Sequence, residues 1–180
     1  MIVRPQGNIL VDSPRFAAPL VKRIEELGGV KLMFLTHCDD VAAHEQFAAR
    51  LGCERVLHAD YVRASTSRVE IQPRGEAAYR IADDLVMIPV PGHTRGSSCL
   101  LYDERFLFTG DHLAWSIPMA RLYAFRGACW FDWPTQIESM GRLAEHDFAH
   151  VLPGHGAPRH FDASVMREHM QTCLAWMAAP

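Results

Sequence analysis

Short apolar runs bounded by glycine, proline or charged residues recur along the chain, and they predict buried strands. The clearest of these runs cover residues 31–35, 85–90, 98–102, 106–109 and 149–152. Apolar residues at helical spacing predict helices over about residues 16–27, 41–51, 135–143 and 163–177. Weaker signals predict a hairpin around residues 5–8 and edge strands near residues 56–57, 69–71 and 79–81. Strands interleaved with helices predict one α/β domain over residues 1–180.

Composition and charge restrict the function of the chain. The sequence is 49% hydrophobic and 22% charged, as in ordinary globular proteins, and its net charge of -3 gives no electrostatic basis for binding nucleic acid or an anionic membrane. No apolar run approaches the roughly 20 residues of a membrane span, and polar residues between Arg4 and Asp12 interrupt any signal peptide. Five scattered cysteines without a CxxC pair favour a reducing compartment, so we expect a cytoplasmic protein. With no basis for a nucleic-acid or membrane partner, we expect a small-molecule substrate.

Four of the apolar runs end in side chains that commonly bind metal ions. Zinc, iron and manganese all accept a mixture of imidazole and carboxylate ligands. Each segment alone has an ordinary explanation, such as a helix N-cap for Asp39 or Asp40 or a turn for Asp111. Four such segments in order predict one metal site at one edge of a sheet. The segments are Thr36-His37-Cys38-Asp39-Asp40, Pro91-Gly92-His93-Thr94, Thr109-Gly110-Asp111-His112 and Pro153-Gly154-His155-Gly156.

The motif set THxxD, PGHTxGS, FTGD and PGHG resembles the metallo-β-lactamase superfamily of metallohydrolases, which includes glyoxalase II and lactonases. The resemblance covers about residues 8–160 in the expected order. It implies a four-layer αββα sandwich whose loops hold metal at one edge of two packed sheets. Only residues 1–5 precede the first matching segment, so we expect shortened N-terminal strands. An edge shortened in this way needs cover, which would be consistent with a homodimer.

The resemblance also implies roles for individual residues. His37 and His93 would bind a first metal ion, Asp111 would bridge two ions, and His155 would bind the second. Asp12 falls where the family often has a carboxylate that supports the metal ligands.

The first motif departs from the family pattern, which is THxHxDH. Asp39 stands in place of the second histidine, while Val41 and Ala42 replace the aspartate and histidine that complete the second metal shell. A carboxylate at the position of Asp39 resembles the flavodiiron branch, in which this ligand is glutamate.

Three arrangements follow from this departure. In the first, one metal ion is bound by His37, Asp39, His93 and Asp111. In the second, Asp40 and His44, together with Asp111 and His155, hold a second ion. In the third, the fold survives without metal. We favour metal binding because four of the family's ligands remain, with one or two zinc ions expected and iron or manganese as alternatives.

The resemblance implies a metal-dependent hydrolase that uses activated water on an ester, thioester, lactone or amide bond. Asp111 and Asp39 are the candidate catalytic residues, because a carboxylate ligand also orients the nucleophile. The alternatives are an iron-containing redox or oxygen-handling protein and a metal-depleted binding module. No GxSxG motif indicates a covalent mechanism.

An aromatic segment follows Asp111. Its rings either pack the loop onto the sheet, which is the favoured interpretation, or form the walls of a substrate pocket, where Arg121 and Arg126 could bind an anionic group. We expect Cys38 to be buried, and His112 to be a surface or supporting residue. The aromatic residues are Trp115, Tyr123, Phe125, Trp130, Phe131 and Trp133.

Overall fold

The computed structural model describes residues 1–179 and divides the chain into two compact units, Met1–Arg74 and the part from Gly75 onward. Each unit has its own sheet and its own helices, which confirms the predicted α/β class. Among the described residues, no helix combines the length and apolarity that crossing a membrane requires. The prediction of one domain over residues 1–180 stays a prediction, as do those of a homodimer, a small-molecule substrate and a cytoplasmic location.

Parallel strands alternate with helices in the first unit. Its three-stranded sheet has the order β1-β2-β3, and both neighbouring pairs are parallel. The apolar faces of both helices contribute to one buried cluster with the sheet, in which Phe47 and Met33 are fully buried. The elements are β1 (Ile9–Val11), α1 (Ala18–Glu26), β2 (Leu32–Phe34), α2 (His44–Leu51) and β3 (Glu54–Val56).

The first unit differs from the predicted pattern at two places. Residues 69–71 do not form a strand, and Ile71 makes only an isolated bridge with Val56. The second predicted helix begins at His44 rather than at residue 41, because Cys38–Val41 forms a separate 3-10 turn in which Asp40 has non-helical angles. Asp40 and His44 therefore do not lie on one continuous helix.

The second unit contains a six-stranded sheet and two helices. The sheet order is β11-β10-β7-β6-β5-β4, and only the β10–β7 pair is parallel. Both helices of this unit contribute residues to its core cluster, including Met140, Leu143 and Met170. The elements are β4 (Tyr79–Ala82), β5 (Leu85–Pro89), β6 (Ser98–Tyr102), β7 (Phe106–Gly110), β8 (Ala114–Ser116), β9 (Arg121–Tyr123), α3 (Trp133–Leu143), β10 (His150–Pro153), β11 (Arg159–His160) and α4 (Ala163–Met177).

Three elements of the second unit were not predicted. Strands β8 and β9 form a separate two-stranded antiparallel sheet directly after the FTGD motif, and β11 pairs with β10 at the edge of the large sheet. These strands have only two or three residues each, which is too short for an alternating pattern to be recognised.

An ion pair between a buried arginine and an exposed glutamate lies at the sheet edge of the first unit. Arg55 on β3 is almost fully buried, and its Nε and Nη2 atoms donate to the two carboxylate oxygens of Glu70 at 3.0 and 2.7 Å. Its Nη1 atom lies 3.0 Å from Nδ1 of His44. The hydrogen bonds from Arg55 lower the pKa of Glu70 from 4.5 to about 2. The contacts of Arg55 with Glu70 and His44 therefore link β3, α2 and the segment that follows β3.

We expect Glu70→Gln to reduce the free energy of unfolding at pH 7, because it leaves the Arg55 guanidinium without its carboxylate partner. A depressed folded-state pKa contributes stability above the unfolded value near 4.5 and loses it as pH falls toward about 2. The difference between wild type and variant should therefore shrink over that pH interval in urea unfolding curves. Glu54→Gln, which changes the exposed carboxylate next to Arg55 on β3, is the matched control. A Glu70→Gln deficit that stays constant down to pH 2 would contradict the role of the carboxylate charge.

Candidate metal centre

The predicted ligand His37 lies at the end of a short hydrogen-bond chain in the first unit. Its Nδ1 atom is 3.0 Å from Oγ1 of Thr36, and that hydroxyl is 2.8 Å from Oδ1 of Asp12. Asp12 is an acceptor, so the single hydroxyl proton of Thr36 points to it and the hydroxyl oxygen accepts Nδ1–H of His37. The lone pair of His37 is then on Nε2, which is the state that binds a metal ion.

Asp12, for which the family resemblance implied a supporting role, is hydrogen-bonded to the residue before His37. Its Oδ1 atom accepts both the backbone N–H of Thr36, at 2.7 Å, and the hydroxyl of Thr36. Burial raises the pKa of Asp12 to about 6, although both Thr36 hydrogen bonds act in the opposite direction. Asp12 has a positive φ of 60° directly after β1, an uncommon angle for a non-glycine residue and one that accompanies functional sites.

The two aspartates of the first motif have different surroundings. Asp39 is exposed, and Cys38 donates to its Oδ1 atom at 3.4 Å. Oδ2 of Asp40 is 3.8 Å from Nδ1 of His37. Neither aspartate is the N-cap of α2, because the N-cap residue is Ala43, whose N–H donates to the Ser13 hydroxyl. Cys38 is half-buried rather than buried, since it lies on the same 3-10 turn as the aspartates.

His44 was predicted as an optional ligand, and the structure gives it another role. Both ring nitrogens are engaged, because Nε2 lies 3.2 Å from the carbonyl of Ser65 and Nδ1 lies 3.0 Å from Arg55. The carbonyl can only accept and the guanidinium can only donate, so His44 is the neutral tautomer with its proton on Nε2. Burial and the charge of Arg55 lower the pKa of His44. A second metal site that uses His44 is therefore not supported.

His93 in the second unit is oriented by backbone rather than by a side chain. Its Nδ1 atom lies 2.6 Å from the carbonyl of Ala128, which must accept Nδ1–H and so leaves the lone pair on Nε2. The carbonyl of Gly92 accepts from the N–H groups of Phe131 and Asp132, and the carbonyl of His93 accepts from Trp130. Part of the aromatic segment thus holds the PGH turn through its backbone.

Gly92 is required at this turn because helix α3 packs directly against it. A Cβ atom at Gly92 would lie 2.2 Å from Cβ of Gln136, and the φ of Gly92 is 149°. The hydroxyl of Ser139 donates to the carbonyl of Pro91 at 2.7 Å, so the same helix also fixes the preceding residue. His93 is therefore held between α3 and the segment before that helix.

Asp111 and His155 contact each other and lie close to His93 within the second unit. Nδ1 of His155 is 2.7 Å from Oδ1 of Asp111, while Oδ2 of Asp111 is 3.9 Å from Nε2 of His93. The side chain of His155 is 74% exposed, whereas that of Asp111 is only 17% exposed. Gly154 allows this approach, because a Cβ there would lie 3.0 Å from Oδ1 of Asp111. The structure thus brings together all three ligands predicted for this unit.

His112, beside Asp111, is buried, so of its two predicted roles, surface residue or supporting residue, the first was wrong. Burial, with smaller contributions from His93 and Arg142, lowers the pKa of His112 to about 3. It is therefore neutral at physiological pH. Sequence reasoning also missed Thr36 and Ala128 as the groups that orient the two histidines. The THxxD motif contains Thr36 and could have indicated it, but a backbone carbonyl such as that of Ala128 leaves no sequence signal.

The donor chemistry of each unit fits a bound metal ion. His37 and His93 both have Nδ1 held by an oxygen, which leaves Nε2 as the coordinating atom, and Asp111 offers a carboxylate beside His93. Neutral imidazole and carboxylate are ligands for zinc and for iron. The orienting oxygens are the outer partners that metal-bound histidines usually have.

Comparison with known proteins confirms the resemblance found in the sequence. No family model matches the chain. A curated relative, the hydroxyacylglutathione hydrolase of Xanthomonas oryzae pv. oryzae, is 32% identical over 159 residues, which cover 85% of this chain and 55% of the relative. The chain therefore spans about half the length of the curated relative that it matches.

Solved structures show the same fold. The B3 metallo-β-lactamase BLEG-1 matches with a TM-score of 0.72 at 16% identity, covering 99% of this chain and 92% of that one. The chemotaxis sensor ODP of T. denticola, in its peroxy diiron form, matches with a TM-score of 0.68 at 17% identity over 97% and 83% of the two chains. Di-zinc and di-iron proteins both occur among these structures. The chain has the metallo-β-lactamase fold, and its resemblance to that superfamily is confirmed.

We expect Thr36→Val to weaken metal binding about 10- to 100-fold, because it removes the hydroxyl that fixes the tautomer and direction of His37. Thr36→Ser keeps the hydroxyl and is the matched control. The measurement is a zinc titration against a chromogenic chelator, with circular dichroism to show that both variants are folded. A folded Thr36→Val protein with wild-type zinc affinity would show that the hydroxyl does not orient the ligand.

Proposed function

We propose that this protein is a metal-dependent hydrolase of small molecules that carry an ester, thioester, lactone or amide bond. The observation that carries the proposal is the grouping of His93, Asp111 and His155 in the second unit, with Asp111 directly between the two imidazoles. The fold neighbours and the curated relative include hydrolases, which supports the same class of activity.

We propose one zinc ion per chain, bound by His37, Asp39, His93 and Asp111. The engagement of both His44 nitrogens supports one ion rather than two, since it removes the substitute ligand for the second site. Val41 and Ala42 offer no ligand atoms on their side chains. The role of His155 as a ligand for a second ion stays a prediction.

A zinc ion at this position would lower the pKa of bound water to about 7 and polarise the substrate carbonyl. The residues of the chain would supply orientation and proton transfer. Asp111 has one oxygen toward His93 and the other toward His155, so it can orient the attacking water and accept its proton. The 2.7 Å contact with a carboxylate requires Nδ1–H on His155, so this exposed imidazole holds Asp111 in place and leaves Nε2 to exchange protons with solvent.

We expect the zinc-loaded protein to hydrolyse simple thioesters or esters, and we expect chelation of the metal to abolish the activity reversibly. Asp111→Asn should reduce kcat/KM by about 100-fold or more, because the amide is a poorer ligand and cannot accept the proton of water. His160→Gln changes an exposed histidine outside the site and is the control. Turnover by the metal-loaded protein that survives Asp111→Asn unchanged would contradict the proposal.

Elemental analysis of protein purified without added metal should give a metal-to-protein ratio near one. His44→Gln should leave that ratio unchanged, because His44 is bonded to Arg55 and Ser65 instead of coordinating metal. A ratio near two in the wild type that falls to one in His44→Gln would instead show that His44 helps to bind a second metal ion.

The second candidate is an iron-dependent redox or oxygen-sensing protein. The observation that favours it is Asp39, a carboxylate in place of the family's histidine, because two imidazoles with carboxylates suit iron as well as zinc. The same elemental analysis distinguishes the candidates. Iron as the dominant metal, with an optical spectrum that changes on exposure to oxygen, would favour this function over hydrolysis.

A further inference from the structure

An apolar cavity of about 460 Å³ lies beside the PGHG segment in the second unit. Its volume is in the range of small-molecule sites, which typically occupy about 300–1,000 Å³. None of the described residues that line it carries a charge. Its walls come mainly from the small β8–β9 sheet, with principal residues Trp115, Ile117, Pro118, Tyr123, Phe125 and Ala157.

The cavity adjoins the candidate metal ligands through Gly156. Gly156 lines the cavity and follows His155 directly, and the next residue, Ala157, accepts a hydrogen bond from the backbone N–H of Trp115 at 3.0 Å. A Cβ atom at Gly156 would lie 2.7 Å from Cβ of Ala114, and its φ is 93°. This glycine therefore lets the segment after His155 pass close to β8, where it forms part of the cavity wall.

Packing from outside the cavity fixes its aromatic walls. The Trp115 ring contacts Phe161 and His169, with centroid distances of 5.4 and 5.2 Å. The Tyr123 ring lies 4.7 Å from that of Trp176 on α4, and its edge contact with Phe125 is 5.5 Å. Rings held in this way are pre-organised, so binding costs little side-chain entropy.

The two arginines predicted to bind an anionic group are engaged elsewhere. The Arg121 guanidinium lies 4.6 Å from the centroid of Trp176, and that of Arg126 lies 5.4 Å from Trp133. Neither residue lines the cavity. The rim instead presents Ile117, an uncharged residue that is 73% exposed.

We propose that this cavity binds the apolar acyl group of the substrate, so that the protein prefers medium-chain aliphatic or aryl acyl esters and thioesters over short or charged ones. This inference rests on the proposed hydrolase function for its catalytic consequence. The occupant is an acyl group because the wall of the cavity includes Gly156, directly after His155 of the candidate site, and because its lining offers apolar contact without a charged residue.

The test uses thioesters that share one thiol and differ only in acyl chain, from acetyl to octanoyl, with the zinc-loaded protein. If each buried methylene contributes its usual transfer free energy, kcat/KM should rise about two- to fourfold per methylene. Ile117→Asp places a charge at the rim and should abolish this dependence on chain length. Met119→Asp changes another exposed apolar residue of the same β8–β9 turn that does not line the cavity, and it should keep the dependence.

Calorimetric titration with butanoate, hexanoate and octanoate separates this inference from the hydrolase proposal. Thioester hydrolysis that is independent of chain length, with carboxylates that bind equally, would overturn the acyl site and leave the hydrolase function standing. Absence of hydrolysis, with carboxylate binding that tightens with length and is lost only in Ile117→Asp, would support the apolar site and reject the hydrolase. Equal effects of Ile117→Asp and Met119→Asp would also overturn the acyl site.

Discussion

An imidazole that binds a metal ion through one nitrogen is usually fixed in tautomer and direction by an oxygen that accepts the N–H of its other nitrogen, and this requirement governs the candidate site. The chain meets it in two ways. His37 is held by a side-chain relay from Asp12 through Thr36, whereas His93 is held by the carbonyl of Ala128. In both cases an oxygen accepts Nδ1–H, so both histidines present Nε2 as the ligand atom.

The two solutions depend on different parts of the fold. The hydrogen bonds that hold His37 lie at the ends of two adjacent parallel strands, β1 and β2, so they require only the pairing of those strands. The orientation of His93 requires the segment before α3 to fold back over the PGH turn. It also requires Gly92, because any side chain there would collide with Gln136. The orientation of His93 therefore depends on tertiary packing that no local sequence pattern predicts.

This difference explains which features could be predicted from the sequence. The long strands and all four helices were predictable because each presents several apolar residues in a regular period. The grouping of the three candidate ligands of the second unit was predictable because each follows a strand inside a specific motif, and the structure brings their side chains together. The short β8–β9 sheet was not predictable, since three residues contain too little periodicity, and the carbonyl of Ala128 could not be, since every residue has one.

His44 shows why side-chain type alone is a poor guide to ligands. It lies four residues after Asp40, and on one continuous helix the two would share a face. The chain instead breaks between them, as α2 begins only at His44 and buries this imidazole against Arg55. A buried guanidinium needs acceptors on all sides, and Glu70 alone does not provide them, so the unprotonated Nδ1 of His44 serves as one more. The same imidazole cannot serve this cation and a metal ion together. The hydrogen bonds of His44 to Arg55 and Ser65 and a second metal ion that uses His44 are thus mutually exclusive, and the structure contains the hydrogen bonds.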